Sequence, residues 1–265
     1  MVSTMLYVAS FLICFLASTI GAICGIGGGV IIKPTLDAFG MLDVSTISFL
    51  SGCTVLCMTT YTLIKNRVSG TSHVERRTGL PLALSAAVGG IVGKSLFSFV
   101  KSLSEDPDTV GAVQAACLLA VTLGTLIYTL FKSRIPTHKV ENIPVCVVIG
   151  LLLGVMSSFL GIGGGPINLV VLFFFFSMET KVAAENSLYI IFFSQLASLF
   201  TTLVSGTVPN FPWPLLLLMA FAGIVGGICG RRINRHIDNA TVDKLFLGLM
   251  AVVILINVFN IFKFV

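Results

Sequence analysis

Two segments of this chain, Val110–Phe131 and Leu245–Phe262, contain no charged side chain. Each is close to the roughly twenty residues that a helix needs to cross a hydrocarbon layer about 30 Å thick. Every N–H and C=O at that depth must pair internally, which leaves helices or closed barrels. A barrel would show short alternating segments, and these runs are continuously apolar. Composition points the same way. The 265 residues are 56% hydrophobic and 10% charged, with a mean hydropathy of +1.04, whereas a soluble domain carries about a quarter charged residues. The sequence predicts an all-α polytopic membrane protein, multi-pass in a plasma or inner membrane and surrounded by the lipid bilayer.

Several function classes drop out at this point. The net charge of +5 falls at segment ends, where it reads as an orientation signal; the clustered basic face that nucleic acid requires is not visible. The first apolar segment, from about Leu6, has no basic stretch before it and reads as a structural segment, not a cleaved signal peptide. The seven cysteines (14, 24, 53, 57, 117, 146, 229) lie in or beside apolar runs without a CxxC. They read as buried, unpaired thiols, with Cys24 notable only for adjoining a glycine cluster. His73, His138 and His236 fall in loops without metal-ligand spacing, and no nucleophile–base or carboxylate pair suggests catalysis. The chain reads as a non-enzyme without a cofactor or metal, and it shows no Walker motif.

Internal duplication organises the rest. "GAICGIGGGVIIKP" begins at Gly21, and "SSFLGIGGGPINLV" begins at Ser157. Carried forward without a gap, that match places "VSG" at Val68 on "VSG" at Val204. One residue of slippage later, "VGGIVGKSL" from Val88 meets "VGGICGRRI" from Val225. The halves are residues 1–135 and 142–265, joined by "KSRIPTHKVEN". The first holds a glycine-tipped hairpin over about 4–40 and helices over about 44–64, 79–100 and 110–131. The second holds a hairpin over about 143–177 and helices over about 181–203, 213–232 and 242–262. The arm after each glycine cluster is about ten residues, so it rises only about 15 Å and falls short of a crossing.

A glycine cluster in such a segment is either a kink in one crossing or the tip of a re-entrant hairpin. A kink gives four spans per half and parallel halves. A hairpin gives three full crossings per half and inverts the second. Loop charges discriminate, because Lys and Arg gather in cytoplasmic loops. Lys65, Arg67, Arg76 and Arg77 follow the second helix of the first half, whereas Ser205–Pro212 carries no charge. The next loops reverse: Lys101 is offset by Glu105, Asp106 and Asp108, against Arg231, Arg232, Arg235 and Lys244. Inverted repeats with both termini outside put every basic loop in the cytoplasm.

Glycine tolerates left-handed backbone and lets a ligand approach the main chain. Each cluster precedes a short helix whose free N–H groups and positive dipole end suit an anion. Two such tips entering from opposite faces would meet near the midplane, where inverted-repeat transporters hold their substrates. The candidate substrate-binding residues are Gly25, Gly27, Gly28, Gly29, Gly161, Gly163, Gly164 and Gly165, with Asn168, Ser187 and Gln195 adding specificity. Glu185, Asn186, Lys33 and Thr59 are candidates for a coupling or pathway role, with H+ or Na+ as the coupling ion. Glu185 reads equally as a helix-end charge that pairs with Lys181 or favours the N-terminal dipole. The isolated Gly89, Gly90, Gly93, Gly223, Gly226 and Gly227 read as close-packing positions between helices.

These residues resemble the TauE/SafE sulfite exporter family, also called toluene-sulfonate uptake permeases. The likeness rests on the paired "GIGGG" phrases and on "VGGIVGK" and "VGGICGR", and it spans essentially the whole chain. It implies an inner-membrane carrier for a small sulfur-containing anion such as sulfite, sulfoacetate or another organosulfonate. An anion channel built on the same tips, and a membrane-embedded enzyme, are the alternatives. The partners expected are a small anionic solute and the bilayer, with a homodimer also admitted.

Overall fold

The computed structural model describes residues 2–103, 107–162 and 164–264. Ten α-helices make up nearly all of it, with no strand among the described residues: α1 (Val2–Cys24), α2 (Gly29–Phe39), α3 (Val44–Val68), α4 (Arg76–Leu103), α5 (Pro107–Phe131), α6 (Ile143–Phe159), α7 (Pro166–Phe176), α8 (Thr180–Val204), α9 (Trp213–Asn234) and α10 (Asn239–Phe264). Seven of these are long and apolar enough to cross a membrane: α1, α3, α4, α5, α8, α9 and α10. α6 has 17 residues, and α2 and α7 have 11 each. Several helices run past the apolar stretch that marks them in the sequence, α3 to Val68 and α4 from Arg76. Hydropathy reports where hydrocarbon ends, whereas the backbone ladder continues until a cap or turn stops it. Asp43 is such a cap for α3, its carboxylate accepting from the Thr46 N–H at 3.0 Å and the Thr46 hydroxyl at 2.6 Å.

The polarity of the molecule is arranged for lipid. Leu12 and Leu16 on α1, Leu84 on α4, Leu217 on α9 and Leu255 on α10 are each at least half exposed. Ser10, Ser18, Ser51, Thr54, Ser187 and Ser194 are fully buried. A bilayer covers the first set without cost and leaves the second to find partners inside.

Packing relates the two halves. α4 lies along α6 as α9 lies along α1, α4 meets α8 as α9 meets α3, and α2 touches α10 as α7 touches α5. Exchanging α1–α5 for α6–α10 turns each of these pairs into another. Small residues permit the closest of them. A Cβ on Gly89 or Gly93 would come within 2.2 or 2.3 Å of the Leu151 or Val155 carbonyl oxygen of α6. A Cβ on Gly226 would come within 2.6 Å of the Phe15 oxygen of α1. In each half the glycine turn joins two arms that fold back on one another. Leu6 and Ala9 of α1 line one hollow with Leu36 and Phe39 of α2. His138 and Val140, entering α6, donate to the carbonyls of Phe174 and Phe175 at the end of α7.

The helix ends sort by charge. Arg231 Nε donates to Asn66 Oδ1 at 2.6 Å, Ser72 Oγ to Glu185 at 2.9 Å, and Lys132 pairs with Asp243. These contacts gather at one end of the bundle the C-termini of α3, α5 and α9 with the N-termini of α4, α8 and α10. That end carries Lys65, Arg67, Arg76, Arg77, Lys132, Arg134, Lys139, Lys181, Arg231, Arg232, Arg235 and Lys244, twelve of the sixteen Lys and Arg residues. Contacts of Lys101 with Ser45 and of Lys263 with the Asp37 carbonyl mark the opposite end.

The close glycine contacts generate a stability prediction. Gly93→Val forces atoms against the Val155 carbonyl, so the melting temperature of the detergent-solubilised protein should fall by an amount equivalent to about 1–3 kcal/mol. Gly124→Ala places a methyl where nothing lies within 4 Å. It should leave the melting temperature unchanged or slightly raised, since alanine favours helix by about 1 kcal/mol.

Candidate functional site

The two glycine turns are the only places among the described residues where a long helix breaks deep inside the bundle. Gly25 has φ 77°, in the left-handed region, and a Cβ on it would lie 2.2 Å from Ala184 Cα of α8. Both backbone strain and space therefore demand glycine there. Gly164 in the second turn has φ 103°, and its Cβ would meet the Ile191 side chain at 2.2 Å. Gly163 lies outside the described residues. The turns touch one another: a Cβ on Gly29 would sit 2.0 Å from the Ile162 carbonyl oxygen. Ile191 separates them elsewhere, lying 3.1 Å from the Cβ place on Gly27. Gly28 caps α2 and Gly165 caps α7, and neither helix start receives a side-chain cap. In α2 the Ile31 and Ile32 N–H groups donate to the Gly28 carbonyl, which leaves those of Gly29 and Val30 at the junction; in α7 Pro166 has no N–H and the Asn168 N–H donates to the Gly165 carbonyl.

The polar side chains around this junction are unusually short of partners. Asn168, 1% exposed and with its Nδ2 3.1 Å from the Cβ place on Gly164, has no hydrogen-bond partner for either end of its amide among the described residues. Ser187 on α8, one turn before Ile191, and Ser51, at the matching place on α3, are fully buried with unpartnered hydroxyls. Burying such groups unpaired costs about 1–3 kcal/mol each, so their presence calls for a reason. Lys33 adds charge. It is buried with its Nζ 2.6 Å from Asp37 on the same face of α2, and its ε-carbon lies 3.3 Å from the Cβ place on Gly161. The first hairpin therefore delivers an ion pair to the second turn.

A cavity approaches each turn from an opposite end of the bundle. At the basic end, a cavity of about 260 Å³ is lined by Ala22, Thr62, Asn66, Ala184, Glu185 and Arg231 among others. It reaches the first turn through Ala184. At the other end, a cavity of only about 20 Å³ is lined by Ser48, Phe49, Lys94, Gln114, Ser158, Gly161 and Gln195 among others. The two linings correspond under the exchange of halves. Ser48 and Phe49 stand where Ala184 and Glu185 do, and Lys94 stands where Arg231 does.

The structure separates the remaining candidates. Gln195, 4% exposed, belongs to the smaller cavity. Glu185 lines the larger one, but its oxygens are occupied: Ser72 Oγ and the His73 N–H each donate to it at 2.9 Å. Asn186 is engaged with the same loop through the Glu75 N–H and the His73 carbonyl. Together they clamp the α3–α4 loop to the start of α8, and among the described residues Glu185 forms no ion pair with Lys181. The Thr59 hydroxyl donates to the Val55 carbonyl of its own helix at 2.8 Å. Cys24 is fully buried and unpaired.

Comparison with known proteins settles the family. Residues 10–256 match the family described as Sulfite exporter TauE/SafE. The chain belongs to the TauE/SafE family. It is also 22% identical over 253 residues to the "Probable membrane transporter protein YunE" of Bacillus subtilis (strain 168), a match covering 86% of this chain and 88% of that protein. No solved structure matches. This TauE/SafE member is a multi-pass membrane transporter, and its exposed leucines face lipid.

Sequence reasoning overlooked several residues at the site. Asp37 was readable, since the i,i+4 spacing from Lys33 puts both on one helical face. Lys94 and Arg231 were readable too, as the matched final residues of the two "VGGIxG" phrases, but nothing local says that they line cavities.

The loop clamp can be tested alone. Glu185→Gln removes the charge that receives Ser72 and His73, and a charged hydrogen bond contributes about 1.5–3 kcal/mol. Trypsin should then cleave the segment between Lys65 and Arg77 about tenfold faster or more. Unchanged cleavage would show that the clamp does not hold the loop.

Proposed function

We propose that this protein is a secondary carrier of a small sulfur oxyanion or organosulfonate, such as sulfite or sulfoacetate, working by alternating access. The observation that carries the reading is the meeting of the two turns, Gly29 against the Ile162 carbonyl, at the inner limit of two cavities from opposite ends. In this reading the halves are inverted repeats whose re-entrant hairpins meet near the bilayer midplane. The Gly29 and Val30 N–H groups at the start of α2, the Asn168 side-chain amide and the Ser187 hydroxyl donate to the anion. An oxyanion accepts several such bonds at once, which answers the unmet donors there.

The basic end faces the cytoplasm by the rule that Lys and Arg gather inside, so the state described is open inward and closed outward. Rocking one half against the other would close the larger cavity and open the smaller. The anion gradient itself, or an H+ or Na+ gradient, supplies the energy.

Two measurements test this. A thermal-shift screen against sulfite, thiosulfate, sulfonates and carboxylates should show stabilisation by the sulfur anions, about 2.7 kcal/mol at a hundred times the dissociation constant. In proteoliposomes, labelled anion should show saturable uptake and counterflow, and Asn168→Ala should weaken apparent affinity about tenfold or more. Currents without saturation or counterflow would replace the carrier by a channel. No response to any anion would remove the substrate class.

A further inference from the structure

Resting on the carrier reading, a second repeated phrase gives each entrance its own anion-capturing cation. α4 carries "VGGIVGK", ending at Lys94, and α9 carries "VGGICGR", ending at Arg231. Their glycines do the same packing job in both helices. On α4, Gly89 and Gly93 lie against α6, and Gly90 lies against α8, 2.7 Å from the Ser194 carbonyl oxygen measured from its Cβ place. On α9, Gly226 and Gly230 lie against α1, and Gly227 lies against Met58 of α3. Each phrase therefore wedges its helix between the first arm of a hairpin and a central helix. The residue that follows is left at the rim of the crevice between them.

The chemistry at the two rims fits an anion. In the smaller cavity Lys94 is the one charged residue of the lining, and it forms no ion pair among the described residues. Its ammonium rests 5.3 Å from the centre of the Phe97 ring. Beside it is Ser158, 5% exposed, with an unpartnered hydroxyl that is free to donate. In the larger cavity Arg231 holds to Asn66 Oδ1, the Lys65 carbonyl and Ser69 Oγ, none of them anionic. Glu185 there is opposed by Lys181, Arg231 and Arg235. Both cavities thus carry net positive charge. Lys94 lies inside the span of α4, where a cation without a carboxylate is costly unless a function retains it, and a positive cleft with apolar walls concentrates anions.

We propose that Lys94 and Arg231 are substrate-binding residues of the two alternating entrances. Lys94 receives the anion on its way to the Gly161 turn from one face of the membrane. Arg231 receives it on its way to the Gly25 turn from the other. A sulfonate or sulfite oxygen takes the place that no carboxylate fills.

The test is transport kinetics in proteoliposomes of determined orientation, with labelled sulfite presented to one face at a time. Lys94→Gln should raise KM tenfold or more at the face where the smaller cavity lies and leave the opposite KM within twofold. Lys94→Arg should restore it. Arg231→Gln should do the reverse, and Arg231→Lys, which keeps the charge if the bonds to α3 prove necessary for folding, should recover most of the loss. Unchanged KM in Lys94→Gln, or an equal rise at both faces, overturns the assignment while wild-type uptake leaves the carrier reading standing. Absence of wild-type uptake of labelled sulfite and of labelled sulfoacetate alike overturns the carrier reading itself.

Discussion

The approach of two main-chain turns inside a lipid-embedded bundle is the contact on which the rest of this structure depends. At Gly29 and Ile162 the backbones come so close that one added methyl would lie 2.0 Å from a carbonyl oxygen. Helices that simply crossed the bilayer would satisfy their own amides and present only side chains to one another. Breaking two of them at the same depth frees N–H groups where water is scarce, and a membrane protein tolerates that only around something that takes the bonds. Asn168 lies beside Gly164, and Ser51 and Ser187 lie one turn before Val55 and Ile191, which touch the first turn; all three are unpartnered. Polar side chains and freed amides thus converge where each alone would be a liability.

The periphery explains how such a junction could be held and still change. α4 and α9 meet the hairpins through glycine faces, with Gly89, Gly93, Gly226 and Gly230 against opposing backbone. Contacts of this kind are shallow and lack interlocked side chains, so their energy comes from many weak contacts and close backbone approach. By contrast the junction of the turns is fixed by shape, because Ile191 fills the space beside Gly27 and Gly164. The turns are thus locked by shape while the flanks are not interlocked, which is the distribution that the alternating access proposed above requires.

How much of this was readable beforehand depended on whether the cause was local. The all-helical membrane fold followed from uncharged runs, and the packing role of Gly93 and Gly226 followed from small residues on apolar helices. The clamp at Glu185 was not readable, because its partners Ser72 and His73 lie more than a hundred residues earlier. Local spacing offers Lys181 as one partner and the start of α8 as another, and the tertiary fold gives the carboxylate to Ser72 and His73. Lys94 and Arg231 sat in a phrase that served as a marker of duplication. What they line depends on the crevice between two other helices, and no periodicity encodes that.

The two cavities match in position but not in chemistry, and that mismatch bears on which end is open. Phe49 and Phe97 occupy the smaller cavity where Glu185 and Asn234 occupy the larger. Both aromatics are more than nine-tenths buried, and Phe49 also packs on Phe211 with ring centres 5.3 Å apart. Wetting that end would expose them, at about 1.5–3 kcal/mol for each ring. The basic end stays open at little cost, since Glu185 and Asn234 hold partners at the cavity wall without needing it shut. The proposed cycle is therefore weighted toward the state described. A solute that opens the aromatic end must bind the outward state more tightly than the inward one by a comparable amount. Lys94, the charged group beside those rings, is placed to supply that difference.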